Sequence, residues 1–296
     1  MHSHYARGLA LTFVGVLIVT PDTLLVRLVD TDPWTLVFWR GVGIAAGLTL
    51  LVGAIEGREG VRNIFRFGPR RLLGVALLVV VSNCFVWALA LTTAANVLVV
   101  LASSPLAAAL IGRLFLGEPV PRRTWAAAIA VACGVAVIFA DDLESGRFAG
   151  NLCAAAAAVS LAAYFVLLRS IRAASTLPVP IWGNLAAAFL AFPLASPFSV
   201  PETGIVWMVL LAGLVLPAGI ALISTGPRYI PAAEVGLLLL LETLLGPLWV
   251  WLGTGETPTP AVLAAGAVIV VALAMNSALG LRSAARREMV PCPVPP

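Results

Sequence analysis

Apolar residues in this chain fall into ten runs, each about 20 residues long and bounded by polar or helix-breaking positions, the length that carries a helix across a bilayer. The runs are 8–28, 33–54, 71–91, 94–115, 124–140, 149–169, 180–199, 203–225, 234–252 and 260–280. They are continuous rather than alternating, so they predict helices and exclude an outer-membrane barrel. Proline closes or opens many of them: Pro33, Pro69, Pro119, Pro121, Pro178, Pro180, Pro201, Pro258 and Pro260. The longest connection, 55–70, carries arginines and leaves no room for a folded domain. Residues 281–296 read as a disordered cytoplasmic tail. The first run has no small-residue cleavage site, so it predicts a span rather than a signal peptide.

The pattern repeats internally. Ala94–Glu118 returns at a shift of 138 as Ala232–Glu256, with Ala94, Ala95, Val97, Leu101, Leu106, Leu110, Leu114, Gly117 and Glu118 recurring as Ala232, Ala233, Val235, Leu239, Leu244, Leu248, Leu252, Gly255 and Glu256. The closing Gly-Glu pair is not an apolar match, which sets the repeat apart from shared hydrophobicity. Five spans separate the two copies. Five is odd, so the halves 8–140 and 149–280 are expected to lie in the membrane with opposite topology, an arrangement common in secondary transporters.

Charge orients the chain. At 61% hydrophobic and 11% charged, with mean hydropathy +1.04, the composition is that of an integral membrane protein. With the N-terminus inside, fifteen arginines fall on cytoplasmic segments and two, Arg27 and Arg147, on the opposite face. Both termini are therefore expected in the cytoplasm of a bacterial cell with the spans in its inner membrane. The net charge of +4 is spread over short loops, so it points to no nucleic-acid partner. Cys84, Cys133, Cys153 and Cys292 form no paired motif, and neither metal, disulfide nor cofactor is predicted.

The pattern Pro33…Trp39-Arg40 opens the second run, and the fourth reads Ala94-Ala95…Pro105…Leu116-Gly117-Glu118-Pro119. With ten spans in two halves, this resembles the EamA-type branch of the drug/metabolite transporter superfamily over about residues 8–280. The resemblance implies two inverted five-helix repeats and export of amino acids or other small metabolites. The second copy departs from the pattern, with Thr243 in place of the proline and Pro247 four residues on.

Few residues in the spans could carry chemistry. Helix rise places Glu242 about 16 Å into the ninth run, at the midplane, and Glu234 near its cytoplasmic end. The repeat puts Ser104 at the depth of Glu242 and Asn96 near the outer surface. Ser103, Ser104 and Asn83, beside the bond that Pro105 cannot make, could line a polar cavity with Glu242, or could serve only as interhelical hydrogen bonds. Trp87 could form an aromatic wall or an anchor. A buried carboxylate is costly and usually marks a pathway, and with no basic residue in the ninth run Glu242 is a candidate for proton coupling. Asp22 and Arg40 lie at matching depths, about 9–11 Å below the outer surface, and predict an ion pair acting as a gate or as a brace.

No span holds a histidine, and neither HExxH nor GxSxG occurs, so nothing points to an enzyme. The expectation is an all-α integral membrane protein of ten transmembrane helices, a monomer or homodimer, exporting small metabolites such as amino acids or organic anions by alternating access. Protons are the expected coupling ion. Proton-coupled drug efflux and a lipid-handling or structural role are the alternatives.

Overall fold

A computed structural model describes residues 2–117, 120–143, 146–170, 177–225 and 232–288. Among them there is no strand. The helices are α1 (His2–Val19), α2 (Asp22–Val29), α3 (Pro33–Ile55), α4 (Gly57–Ile64), α5 (Pro69–Leu91), α6 (Ala94–Leu101), α7 (Ser104–Leu116) and α8 (Arg122–Leu143). They continue with α9 (Phe148–Ser170), α10 (Pro178–Ala191), α11 (Glu202–Met208), α12 (Leu216–Thr225), α13 (Ala232–Thr254) and α14 (Pro260–Glu288).

Seven helical stretches among the described residues are long and apolar enough to cross a membrane: Ala6–Val29, Pro33–Ile55, Pro69–Leu91, Ala94–Phe115, Arg122–Ala140, Phe148–Leu168 and Glu202–Ile223. Three more apolar helices, Pro178–Leu194, Leu238–Thr254 and Pro260–Asn276, are shorter. The protein is a multi-pass membrane protein.

Several boundaries differ from the sequence reading, each for a local reason. The first run is two helices, because Pro21 has no N–H to offer the preceding turn and Thr20 turns its hydroxyl back on the Leu17 carbonyl at 2.9 Å. The fourth run is likewise broken, at Ala102–Ser103, where Pro105 follows within the first turn of α7. The seventh ends early: α10 stops at Ala191, and Phe192–Leu194 continues it as a tighter turn around Pro193. Connection 55–70 contains α4, whose residues Gly60 and Ile64 are buried. The tail is helical as far as Glu288, and residues 289–296 lie outside the described residues.

Small residues let the helices meet. Helix α3 packs on α10, α12 and the π-helical stretch Val209–Val215. A Cβ on Gly43 would stand 2.5 Å from the Ala212 Cβ, and one on Gly47 would stand 2.5 Å from Pro217 Cγ. These two glycines are thus used for packing inside the bundle. Gly134 serves similarly between α8 and Ile269 of α14. Helix α13 lies against α1, α2, α6 and α14. Both interrupted runs therefore border α13, and they position the charges it faces.

Candidate functional site

Helix α2 begins inside the bundle with Asp22, which is only 3% exposed. Its Oδ2 accepts from Arg40 Nη2 of α3 at 2.7 Å. The ion pair expected from matching depth is formed. Beginning a helix there also helps the carboxylate, since the unpaired amides of a helix N-terminus favour negative charge. Arg40 lies with its Cζ 4.7 Å from the centre of the Phe85 ring on α5, a face that attracts a guanidinium. Asp22 Oδ1 and Arg40 Nη1 are buried and have no hydrogen-bond partner among the described residues. The pair thus keeps one acceptor and one donor in reserve.

Glu242, halfway along α13, is half-buried. The charges of both Asp22 and Arg40 act on it. The depth estimates for Arg40 and Glu242 differ by about one helical turn, some 5 Å, which a long arginine side chain spans. Pro247 sits inside α13 and cannot donate to the carbonyl four residues before it, that of Thr243, so the backbone beside Glu242 is also polar. One turn beyond Glu242, a Cβ on Gly246 would meet Thr23 Oγ1 of α2 at 3.4 Å, and Trp249 Nε1 donates to Thr20 Oγ1 at 3.1 Å. The break between α1 and α2 is thereby bound to the centre of α13. The Arg40 guanidinium bonds Asp22, and a charge on Glu242 would be balanced by a proton or by a cationic group of a solute.

The other predicted residues separate. Ser104 is buried at the start of α7, while Ser103 Oγ donates to the Val100 carbonyl at 2.6 Å, a bond inside its own turn. Asn83 Nδ2 donates to the Val79 carbonyl at 2.9 Å, and its Oδ1 is buried without a partner among the described residues. Asn96 is buried and helps start α6: its Nδ2 donates to Thr92 Oγ1 at 3.1 Å and its backbone N–H to Thr93 Oγ1 at 3.2 Å. That is a capping arrangement. Trp87 packs edge-on against Trp34, ring centres 5.2 Å apart, with its Nε1 buried and unpartnered among the described residues. The Glu234 side chain lies outside the described residues.

Sequence reasoning missed Phe85, Thr23 and Ser82. An aromatic or hydroxyl in an apolar run carries no mark of the face it occupies. Ser82 Oγ donates to Asn184 Oδ1 at 3.0 Å, and Asn184 Nδ2 to the Pro180 carbonyl at 2.9 Å, joining α5 to α10. Trp182 donates to the Ile64 carbonyl at 2.8 Å and meets the rings of Phe65 and Phe67.

Two buried charges, Asp22 and Arg40, thus face each other inside a helical membrane bundle. Residues 6–140 match the EamA-like transporter family. The pseudopaline exporters CntI of two Pseudomonas aeruginosa strains, UCBPP-PA14 and PAO1, are 28% and 27% identical to this chain over 223 residues, covering 74% of it and 76% of their own length. A solved crystal structure shares the fold, with TM-score 0.68 and 21% identity over 93% of this chain and 98% of its own. The first half of the chain is thus similar to EamA-like transporters, and about three quarters of it to the two exporters.

Proposed function

We propose that this chain is a transporter of the EamA-like kind, a secondary active exporter of small metabolites such as amino acids or organic anions, in a bacterial inner membrane. The observation that carries the reading is the buried Asp22–Arg40 pair at the start of α2, a helix that packs on α13, which carries Glu242. Such a pair holds opposite charges apart from water, and Glu242 leaves a net charge to be exchanged. The exporters among its relatives, named for pseudopaline, support outward movement of a small metabolite.

In this reading the chain forms ten spans as two inverted repeats, 8–140 and 149–280, with both termini cytoplasmic. Gly117 and Gly255 support it: 138 residues apart, they close α7 and α13 with φ of 68° and 75°, a left-handed conformation that glycine adopts at helix ends. The family match over residues 6–140 also stops where the first repeat does.

Glu242 acts as the coupling residue. It holds a proton in one access state and yields its place to a solute cation, or to water, in the other. The Asp22–Arg40 pair sets the field in which that exchange occurs. Purified protein in vesicles, screened with amino acids and organic anions with and without a pH gradient, tests the proposal. Gradient-dependent flux of at least one such solute is expected; no flux of either class under any gradient would overturn it.

A further inference from the structure

Two charged residues that the transport site does not use meet at the end of the bundle where α2 and α13 finish. Arg27, in the last turn of α2, places Nη2 3.2 Å from Glu256 Oε2 and donates from the same nitrogen to the Thr92 carbonyl at 2.9 Å. The other Glu256 oxygen, Oε1, accepts the backbone N–H of Ala94 at 2.8 Å. Ala94 is the first residue of α6, and its amide is one of the orphan donors of a helix N-terminus. Arg27 and Glu256 thus hold the α5–α6 turn from both sides, through its carbonyl and its amide. Glu256 closes the second repeat copy, whereas Arg27, Thr92 and Ala94 belong to the first half of the chain.

The clasp stands over the charged site. Arg27 is five residues beyond Asp22 on α2, about 7.5 Å by helix rise, and four beyond Thr23, on the same face. Gly253 lets the last turn of α13 lie directly against Leu24 of α2. Beside the clasp, Arg27 also lines a cavity of about 130 Å³ with Asp30, Thr31, Pro33 and Leu36. Both charged side chains are 26% exposed, so water reaches the clasp while Thr23, a turn below, is 1% exposed. A half-exposed pair is weak by itself, and the charge-assisted bond to a helix amide adds to it. The contact can therefore hold an end shut and still release.

We propose that Arg27, Glu256 and the amide of Ala94 form a releasable outer latch, closed in this structure, that must part before the site at Asp22 opens to the outside. The proposal rests on the alternating-access reading above. Its test does not need transport.

In a chain with Cys84, Cys133, Cys153 and Cys292 replaced by serine, Thr23→Cys is labelled with a membrane-impermeant maleimide, in intact cells and in inside-out vesicles. Glu256→Gln and Arg27→Gln should each speed labelling in intact cells about tenfold, the shift expected when a weak contact is lost. The double variant should be no faster than the faster single one, since either loss opens the same latch. Melting in detergent identifies a variant that is merely unfolded, and having two single variants keeps one readable. Labelling that is unchanged in intact cells, or raised only in inside-out vesicles, overturns the latch. A faster rate in a protein that moves no solute would keep the latch and contradict the transport reading instead.

Discussion

Asp22 and Arg40 are bonded at 2.7 Å with little access to water, and their value to the fold is not the energy of that bond. Desolvating two charges costs nearly what their attraction returns, so the pair as a unit is close to neutral for stability. Removing one partner is different, because the other charge stays buried alone. Asp22→Asn and Arg40→Gln should each destabilise by about 3–5 kcal/mol. The double variant should recover part of that loss. Thermal melting of the three proteins in detergent checks this, and strictly additive losses would show that the pair is not coupled. Phe85 lies 4.7 Å from Arg40 Cζ. Phe85→Leu should therefore weaken the hold on Arg40 with little change in volume.

Among elements, those built from uniform apolar sequence were the most legible. A continuous apolar run of sufficient length admits few structures in a bilayer, since every backbone group must be bonded within the segment. The interruptions were harder. Pro21 and Pro105 are visible as prolines, but whether a proline breaks a helix or sits in its first turn depends on what can satisfy the freed carbonyls. Helix α4 was missed because its arginines hide the two positions it buries, Gly60 and Ile64. The ion pair was legible in depth and not around the helix axis: rise along a helix matched Asp22 with Arg40, while the packing of α13 on α2 could not be read from sequence.

The packing of α3 depends on positions without side chains. Gly43→Ala would push a Cβ to 2.5 Å from the Ala212 Cβ, whereas Gly53→Ala would meet Val61 Cγ2 at an ordinary 3.7 Å. The first should cost about 1–3 kcal/mol by overpacking. The second should be neutral or gain up to about 1 kcal/mol from reduced backbone freedom. Paired melting curves decide it, and equal effects at the two glycines would contradict the packing described for α3.

At the scale of the molecule, the account requires two halves inserted with opposite sense. Tags on either terminus should be reached by antibody only after the membrane is inverted or permeabilised. A tag in the 141–148 connection should be reached on intact cells, because an odd number of spans separates it from the N-terminus in the ten-span arrangement. Finding that connection on the same side as the N-terminus would remove the inverted repeat. In the two-repeat arrangement the counterparts of the two interrupted runs are α9 and α13, which are continuous. In that arrangement Tyr164 and Gly183 fall near the positions equivalent to Asp22 and Arg40, which would make the charged site asymmetric.

The central claim is that Glu242 exchanges charge during transport rather than serving as a fixed hydrogen-bond donor. Glu242→Gln keeps size and a donor but cannot titrate. Solute flux driven by an imposed pH gradient, measured in vesicles holding parent or Gln protein, separates the two roles. The account predicts that the Gln variant folds and melts as the parent does yet loses gradient-driven flux, by tenfold or more, as expected when the only titrating step is removed. A Gln variant that transports like the parent across the pH range would contradict it.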